Sequence, residues 1–229
     1  MFKRFGSACI LALGIAFAGY FVAYSIGHFH NFNRYVSVKG LAEKTVQANE
    51  ALMTLRFSAN GNSLQAVYTA MQHSQQAITS FLTQHGIQRQ RIMIGSVSVN
   101  TNPQDSKQKT PKYTAYSSIN VTTPQVAVIR SLNQKTSDLI KQNVLLSATS
   151  VSYRFTALNT IKAGMLTTAT AQAKQAAQTF AHNAHARVGS IRQASQGLFT
   201  ITDADGGYGN NDIKKIVRVV VHVQYFIKD

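Results

Sequence analysis

The residues most able to do chemistry are few and scattered. His28 and His30 form an H-x-H pair, and His182 and His185 stand three apart, a spacing that puts both on one face of a helix. Zinc wants three or four ligands. Cys9 is the only cysteine, and Glu43 and Glu50 are the only glutamates. Both pairs are therefore expected to be solvated. The stretch Asp203 to Asp212 (DADGGYGNND) offers oxygen ligands at Asp203, Asp205, Asn210 and Asp212. A calcium loop of the EF-hand type wants Gly where Tyr208 stands and Glu where Lys214 stands. The better expectation is a plain connection between strands, with Gly206, Gly207 and Gly209 suiting a flexible turn. Nucleophilic catalysis needs a nucleophile, a base and an orienting group in reach. No G-x-S-x-G elbow occurs, and most of the eight acids fall in loops or linkers. The sequence thus assigns no catalytic, cofactor-binding or metal-ligating residue, and the chain is expected not to be an enzyme.

The net charge of +15 reflects scarce acids more than dense bases. Between Asp138 and Asp203 there is no carboxylate, while Lys141, Arg154, Lys162, Lys174, Arg187 and Arg192 are spaced out. A nucleic-acid surface clusters Lys and Arg with interleaved aromatics, and no such cluster exists here. A soluble basic surface is expected, with attraction to anionic headgroups or polysaccharide as the alternative.

Where these residues sit in the cell follows from Phe5 to Gly27 (FGSACILALGIAFAGYFVAYSIG), which carries no charge. Its 23 residues reach roughly 35 Å as a helix, enough for a bilayer core of about 30 Å. Lys3 and Arg4 precede it and should hold the amino end in the cytoplasm. The expected topology is a single-pass membrane protein, with the following domain outside the cytoplasm. A cleaved signal peptide is the alternative, since Ala16-Phe17-Ala18 fits an A-x-A site. The apolar run continues through Tyr20, Phe21, Val22 and Ile26, which favours a retained anchor. The expected organisation is residues 1–27 as anchor, 28–33 as juxtamembrane linker and 34–229 as exported domain. That domain has no cysteine and must be held by packing alone.

The elements follow from periodicity. Val36 and Val38 alternate with polar residues, as do Met53, Leu55, Phe57 and Ala59, which predicts two strands. Asn60-Gly61-Asn62 turns the chain, and Ser63 can cap a helix. Leu64, Val67, Met71, Ser74, Ile78 and Phe81 recur at three and four, an amphipathic helix stopped at Gly86. A strand holding Met93, Val97 and Val99 comes next. Asn100 to Lys112 is a long polar loop. It leads to a strand with Ala115, Ser117, Ile119 and Val121 on one face. After Pro124 a second helix turns Val126, Ile129, Leu132, Leu139 and Ile140 inward. Ala148 to Leu158 reads as a strand. Thr160 to Arg187 is the longest helix, with a stripe of Met165, Leu166, Ala169, Ala173, Ala176, Ala177, Phe180 and Ala184, ended by Gly189. So Ala-rich a stripe permits close approach to a neighbour. Ser190 to Ile201 is a strand with Gly197 as a bulge. Ile213 to Ile227 closes the chain, with Val219, Val221, Val223 and Tyr225 on one side. Val220 and Phe226 fall on the other side and need cover. The order ββαββαβαββ places the chain in the α+β class, a mainly antiparallel sheet packed by three helices.

Arg34 to Glu43 (RYVSVKGLAE) and Ala48 to Ala51 (ANEA) resemble the opening of SIMPL-domain proteins. The carboxy half is similar too: Phe155 to Asn159 (FTALN), the Ala-rich helix ending Phe180-Ala181, Gly189 to Arg192 (GSIR), Ala194 to Gly197 (ASQG), and Arg218 to Tyr225 (RVVVHVQY). The resemblance runs from Arg34 to the end and is strongest to the membrane-anchored bacterial branch. Asn49 departs from it, standing where an acid is common. The resemblance implies a SIMPL-like fold and an envelope protein, in a family with members linked to oxidative-stress tolerance and members that form ring-like oligomers. It carries over no catalytic residue. The expected function is non-enzymatic: an envelope protein that touches lipid through its first helix, binds no nucleic acid or cofactor, and acts by self-assembly or partner binding. An envelope enzyme or an anionic-ligand-binding protein is the alternative.

Overall fold

The computed structural model describes residues 14–21, 34–103, 110–206 and 210–228. Most of the expected anchor, and the His28-x-His30 pair, lie outside them; residues 14–21 are helical. Among the described residues no helix is long and apolar enough to cross a membrane.

Among the described residues, nine strands and three longer helices follow residue 34, in an α+β arrangement. They are β1 Tyr35–Gln47, β2 Glu50–Gly61, α1 Leu64–Gln84, β3 Ile92–Ile94, β4 Ser98–Thr101, β5 Tyr113–Thr123, α2 Val126–Lys135, β6 Leu145–Arg154, α3 Leu158–Asn183, β7 Arg187–Gln196, β8 Thr200–Asp203 and β9 Lys214–Lys228. One sheet runs β3-β5-β2-β6, with β4 also on β5; the other runs β1-β9-β7, with β8 also on β9. The pairs β2–β5, β2–β6, β3–β5, β4–β5 and β7–β9 are antiparallel. The chain divides into two compact units. The first comprises residues through Glu43, Lys162–Phe199 and Arg218 onward; the second comprises Lys44–Ile161 and Thr200–Val217.

In the second unit the predicted periods become a core. Ser63 accepts a hydrogen bond from the Ala66 N–H at 3.2 Å and starts α1. Gly86 follows the C-cap His85 with φ of 90°, a conformation glycine adopts without strain. Val67, Met71, Ser74, Ile78 and Phe81 are buried as the spacing requires, whereas Leu64, in the first turn, is exposed. Val67, Met71, Ile78 and Phe81 join Met53, Leu55 and Phe57 of β2, Ile119 and Val121 of β5, and Ile129 and Leu132 of α2 in one hydrophobic cluster. Leu139 is buried too, but Ile140 is exposed, contrary to expectation. The chain switches to a 3₁₀-helix over Thr136–Gln142, and its three-residue turn presents only one side of that pair inward.

In the first unit α3 buries Met165, Ala169, Ala173, Ala177 and Ala181, a row stepping by four. Phe180 and Ala184 are exposed instead of inward, because the row continues to Ala181. Gly40 of β1 meets this row: a Cβ built there would fall 1.9 Å from the Ala169 carbonyl oxygen and 2.7 Å from the Ala173 nitrogen. Val219, Val221, Val223 and Tyr225 of β9 are buried, as their alternation predicts.

Four boundaries differ from the sequence expectation. The longest helix stops at Asn183, not Arg187: His185 takes φ of 52°, and the Ala186 N–H bonds back to the Ala181 carbonyl at 2.9 Å. Gly189 consequently lies within β7, close to the Phe226 carbonyl. The strand expected through Met93, Val97 and Val99 is split into β3 and β4 around Gly95, whose N–H bonds Ser118 O at 2.8 Å. The strand expected over Ser190 to Ile201 is split at Gly197, where a Cβ would meet the Val220 oxygen at 2.6 Å. Finally, β6 begins at Leu145, and Leu158 opens α3 instead of ending a strand.

Candidate functional site

The loop that offered calcium ligands has a different use. Asp203 ends β8 and Lys215 lies near the start of β9. Lys215 is fully buried and Asp203 is 5% exposed. The Lys215 ammonium donates to Asp203 Oδ1. Asp203 Oδ2 accepts from the N–H of Asn211 at 2.8 Å and of Asp212 at 3.3 Å. Both carboxylate oxygens are thus occupied by protein donors. Burial pushes the Asp203 carboxyl up, but the Lys215 hydrogen bond, the two N–H groups and the Lys215 charge outweigh it, and the net direction is down. Only composition hinted at this latch: a lysine at an inward position of a β-branched strand, where a buried cation requires a partner.

His182 and His185 are exposed at the end of α3. Among the described residues no group of three or more His, Cys, Asp or Glu could hold a metal. Asn49, where the resemblance puts an acid, accepts from the Thr156 N–H at 2.8 Å and its hydroxyl at 3.2 Å. An amide oxygen meets both donors as a carboxylate would. Glu50 accepts two hydrogen bonds from Arg154, at 2.7 and 3.1 Å.

Two of the surfaces open among the described residues bear on function. In the first unit, β7 is an edge strand with no fully buried residue. The outward face of its sheet carries Tyr35 and Leu41, 45% and 41% exposed, beside the half-buried Val220 and Phe226. The Arg192 guanidinium lies over the Tyr35 ring at 4.1 Å and donates to Gln224 at 3.2 Å. Leu198, just past β7, is 89% exposed.

In the second unit, a cleft of about 1500 Å³ opens between α2, β6 and residues 211–214. Arg130 and Lys214 bring positive charge to it and Asp212 the one carboxylate; Gln125, Asn133 and Thr149 are among its neutral polar groups. Tyr153 is 6% exposed, held by its register opposite Ala51 and by its N–H on the Asn210 carbonyl at 2.7 Å. Burial pushes its phenol up, and the nearby Arg130 charge pulls the other way. Of these lining residues only Asp212 was singled out from sequence, as a candidate cation ligand; Arg130 and Tyr153 were not. They come from segments far apart in the chain.

Compared with known proteins, the chain is matched over residues 36–220 by the model of the SIMPL family, described as a protein of unknown function (DUF541). The chain belongs to the SIMPL family. The match takes in the Ala48 segment, the segment after Arg34 from residue 36 on, and the carboxy-terminal strand as far as residue 220. No curated protein matches this SIMPL chain. Solved structures show only faint likeness. AtUAH, in complex with glyoxylate, is 12% identical with a TM-score of 0.27, over 50% of this chain and 30% of that one. A hydrolase from Listeria innocua is 14% identical with a TM-score of 0.24, over 79% and 91%. The putative chlorite dismutase TA0507 is 7% identical with a TM-score of 0.24, over 79% and 96%. This SIMPL chain thus spans less than a third of the first of these, and no activity passes from any of them.

Proposed function

We propose that this SIMPL protein is a non-enzymatic, membrane-anchored envelope protein that acts by assembling with copies of itself on the periplasmic side. The observation that carries the reading is the open side of the first unit. The edge strand β7, the exposed Tyr35 and Leu41 on β1 across β9 from it, and the protruding Leu198 offer backbone hydrogen-bonding groups and apolar surface on one sheet. Edge strands left open invite pairing, and apolar surface gathered around them marks a contact surface. The uncharged run Phe5 to Gly27 behind Lys3 and Arg4 supports the anchor and its orientation. Confinement to a membrane raises effective concentration and favours even a modest contact.

Sedimentation of the full chain in detergent at micromolar concentration is expected to give a defined species heavier than a monomer. The double variant Leu41→Lys/Leu198→Lys should return it to monomer without changing its melting temperature by more than a few degrees. A monomeric wild type throughout that range would refute assembly by the exported domain. Growth of a deletion strain under peroxide tests the stress role that the family resemblance implies.

A further inference from the structure

The cleft of the second unit has no place in an assembly mechanism, yet its chemistry is specific. Tyr153 lines it and is almost wholly buried, and among the described residues its hydroxyl has no hydrogen-bond partner. The hydroxyl itself is not sealed off but reaches the solvent of the cleft, so it is open to donate to a bound group. Arg130, one helical turn into α2, is close enough to Tyr153 for its charge to act on the phenol, and no carboxylate among the described residues pairs with it. Lys214 adds a second cation at the rim. Against these stands Asp212, whose Oδ1 already accepts from the Lys214 N–H at 3.1 Å. The remaining polar lining is amide and hydroxyl, the groups that pair with a polyol.

We propose that this cleft binds a small hydroxylated anion of the sugar-phosphate or sugar-acid class. Arg130 takes the anionic group, Tyr153 donates one hydrogen bond to it, and the neutral lining meets the hydroxyls. Arginine suits that role because its planar fork matches phosphate and carboxylate oxygens. The elevated phenol keeps its proton at neutral pH and remains a donor.

Calorimetric titration of the full chain in detergent with glucose 6-phosphate, glucuronate and glucose tests this. Saturable binding of one stoichiometric anion is expected, at least tenfold tighter than glucose; which anion wins distinguishes phosphate from carboxylate. Arg130→Gln should weaken it about tenfold or more, and Tyr153→Phe about threefold to tenfold. Arg130 is exposed, so its replacement leaves the fold intact, which a melt of each variant verifies. Lys174→Gln removes an exposed charge from α3 in the first unit and should change nothing. The proposal is overturned by no saturable binding of either anion, by glucose binding equally well, or by Lys174→Gln weakening binding as much as Arg130→Gln. Because binding is scored per chain, failure of assembly would leave this result standing, and the reverse.

Discussion

Asp203 and Lys215 carry a burden that no exposed ion pair in this chain shares. A buried pair gains little over apolar packing, but removing one partner strands the other charge. Asp203→Asn is therefore expected to cost about 3–5 kcal/mol, read as a fall in the urea midpoint. The same residue gives a pH signature. Its folded-state value lies below the ordinary 3.8, so its contribution is complete above that value. It is lost as pH falls through the ordinary value toward the lower folded one. Unfolding followed between about pH 5 and pH 2 should show this loss in wild type and a shallower slope in Asp203→Asn. Equal slopes would mean the pair contributes no differential proton binding. By contrast Lys141–Asp138, on the surface, should be silent when broken.

At the scale of elements, the close approach of β1 to α3 is set by two kinds of small residue. Alanines at Ala169 and Ala173 remove bulk from the helix, and Gly40 removes the Cβ from the strand. The atoms that a Gly40 Cβ would meet are backbone, which cannot swing aside. Gly40→Ala should destabilise by at least about 2 kcal/mol, at the upper end of overpacking costs, measured by chemical unfolding of the full chain. A melting curve unchanged from wild type would show that strand and helix can separate freely. The open edge β7 is the opposite case. Its register on β9 shifts between Val188 and Ile191 and again between Ile191 and Gln193, the kind of irregularity that blunts an edge. Gln193 to Gln196 pairs regularly with Gln224 to Val221, so the regular end of the edge is the one beside Leu198.

For the whole molecule, topology and charge act together. On the proposed topology, in which Lys3 and Arg4 would hold the amino end inside, a reporter enzyme fused after Asp229 is expected to be active only outside the cytoplasm. Activity in the cytoplasm would reverse the orientation and remove the membrane argument for assembly. The net charge of +15 opposes self-association through long-range repulsion. Added salt should therefore strengthen an assembly held by strand edges and apolar contact, since screening weakens the repulsion and leaves the contacts.

The sequence by itself determined the main strands and helices and most of the faces they bury, although Leu64, Ile140, Phe180 and Ala184 fall outside the buried rows. The row Val67, Met71, Ser74, Ile78, Phe81 and the alternation Val219, Val221, Val223, Tyr225 are local periods, and burial follows a local period directly. Ser63 and Gly86 were legible for the same reason, since a cap is chosen by its own few neighbours. What only tertiary structure decided lies where two distant segments choose each other. The splits at Gly95 and Gly197 depend on the backbones of Ser118 and Val220, which no local pattern announces. The end of α3 passed from Arg187 to Asn183 because a left-handed His185 closed it. Asp203 left a loop of apparent cation ligands to neutralise a buried lysine twelve residues on. Arg130, Tyr153 and Lys214 share one cleft because β6, α2 and β9 converge there, and spacing along a chain carries no record of that convergence.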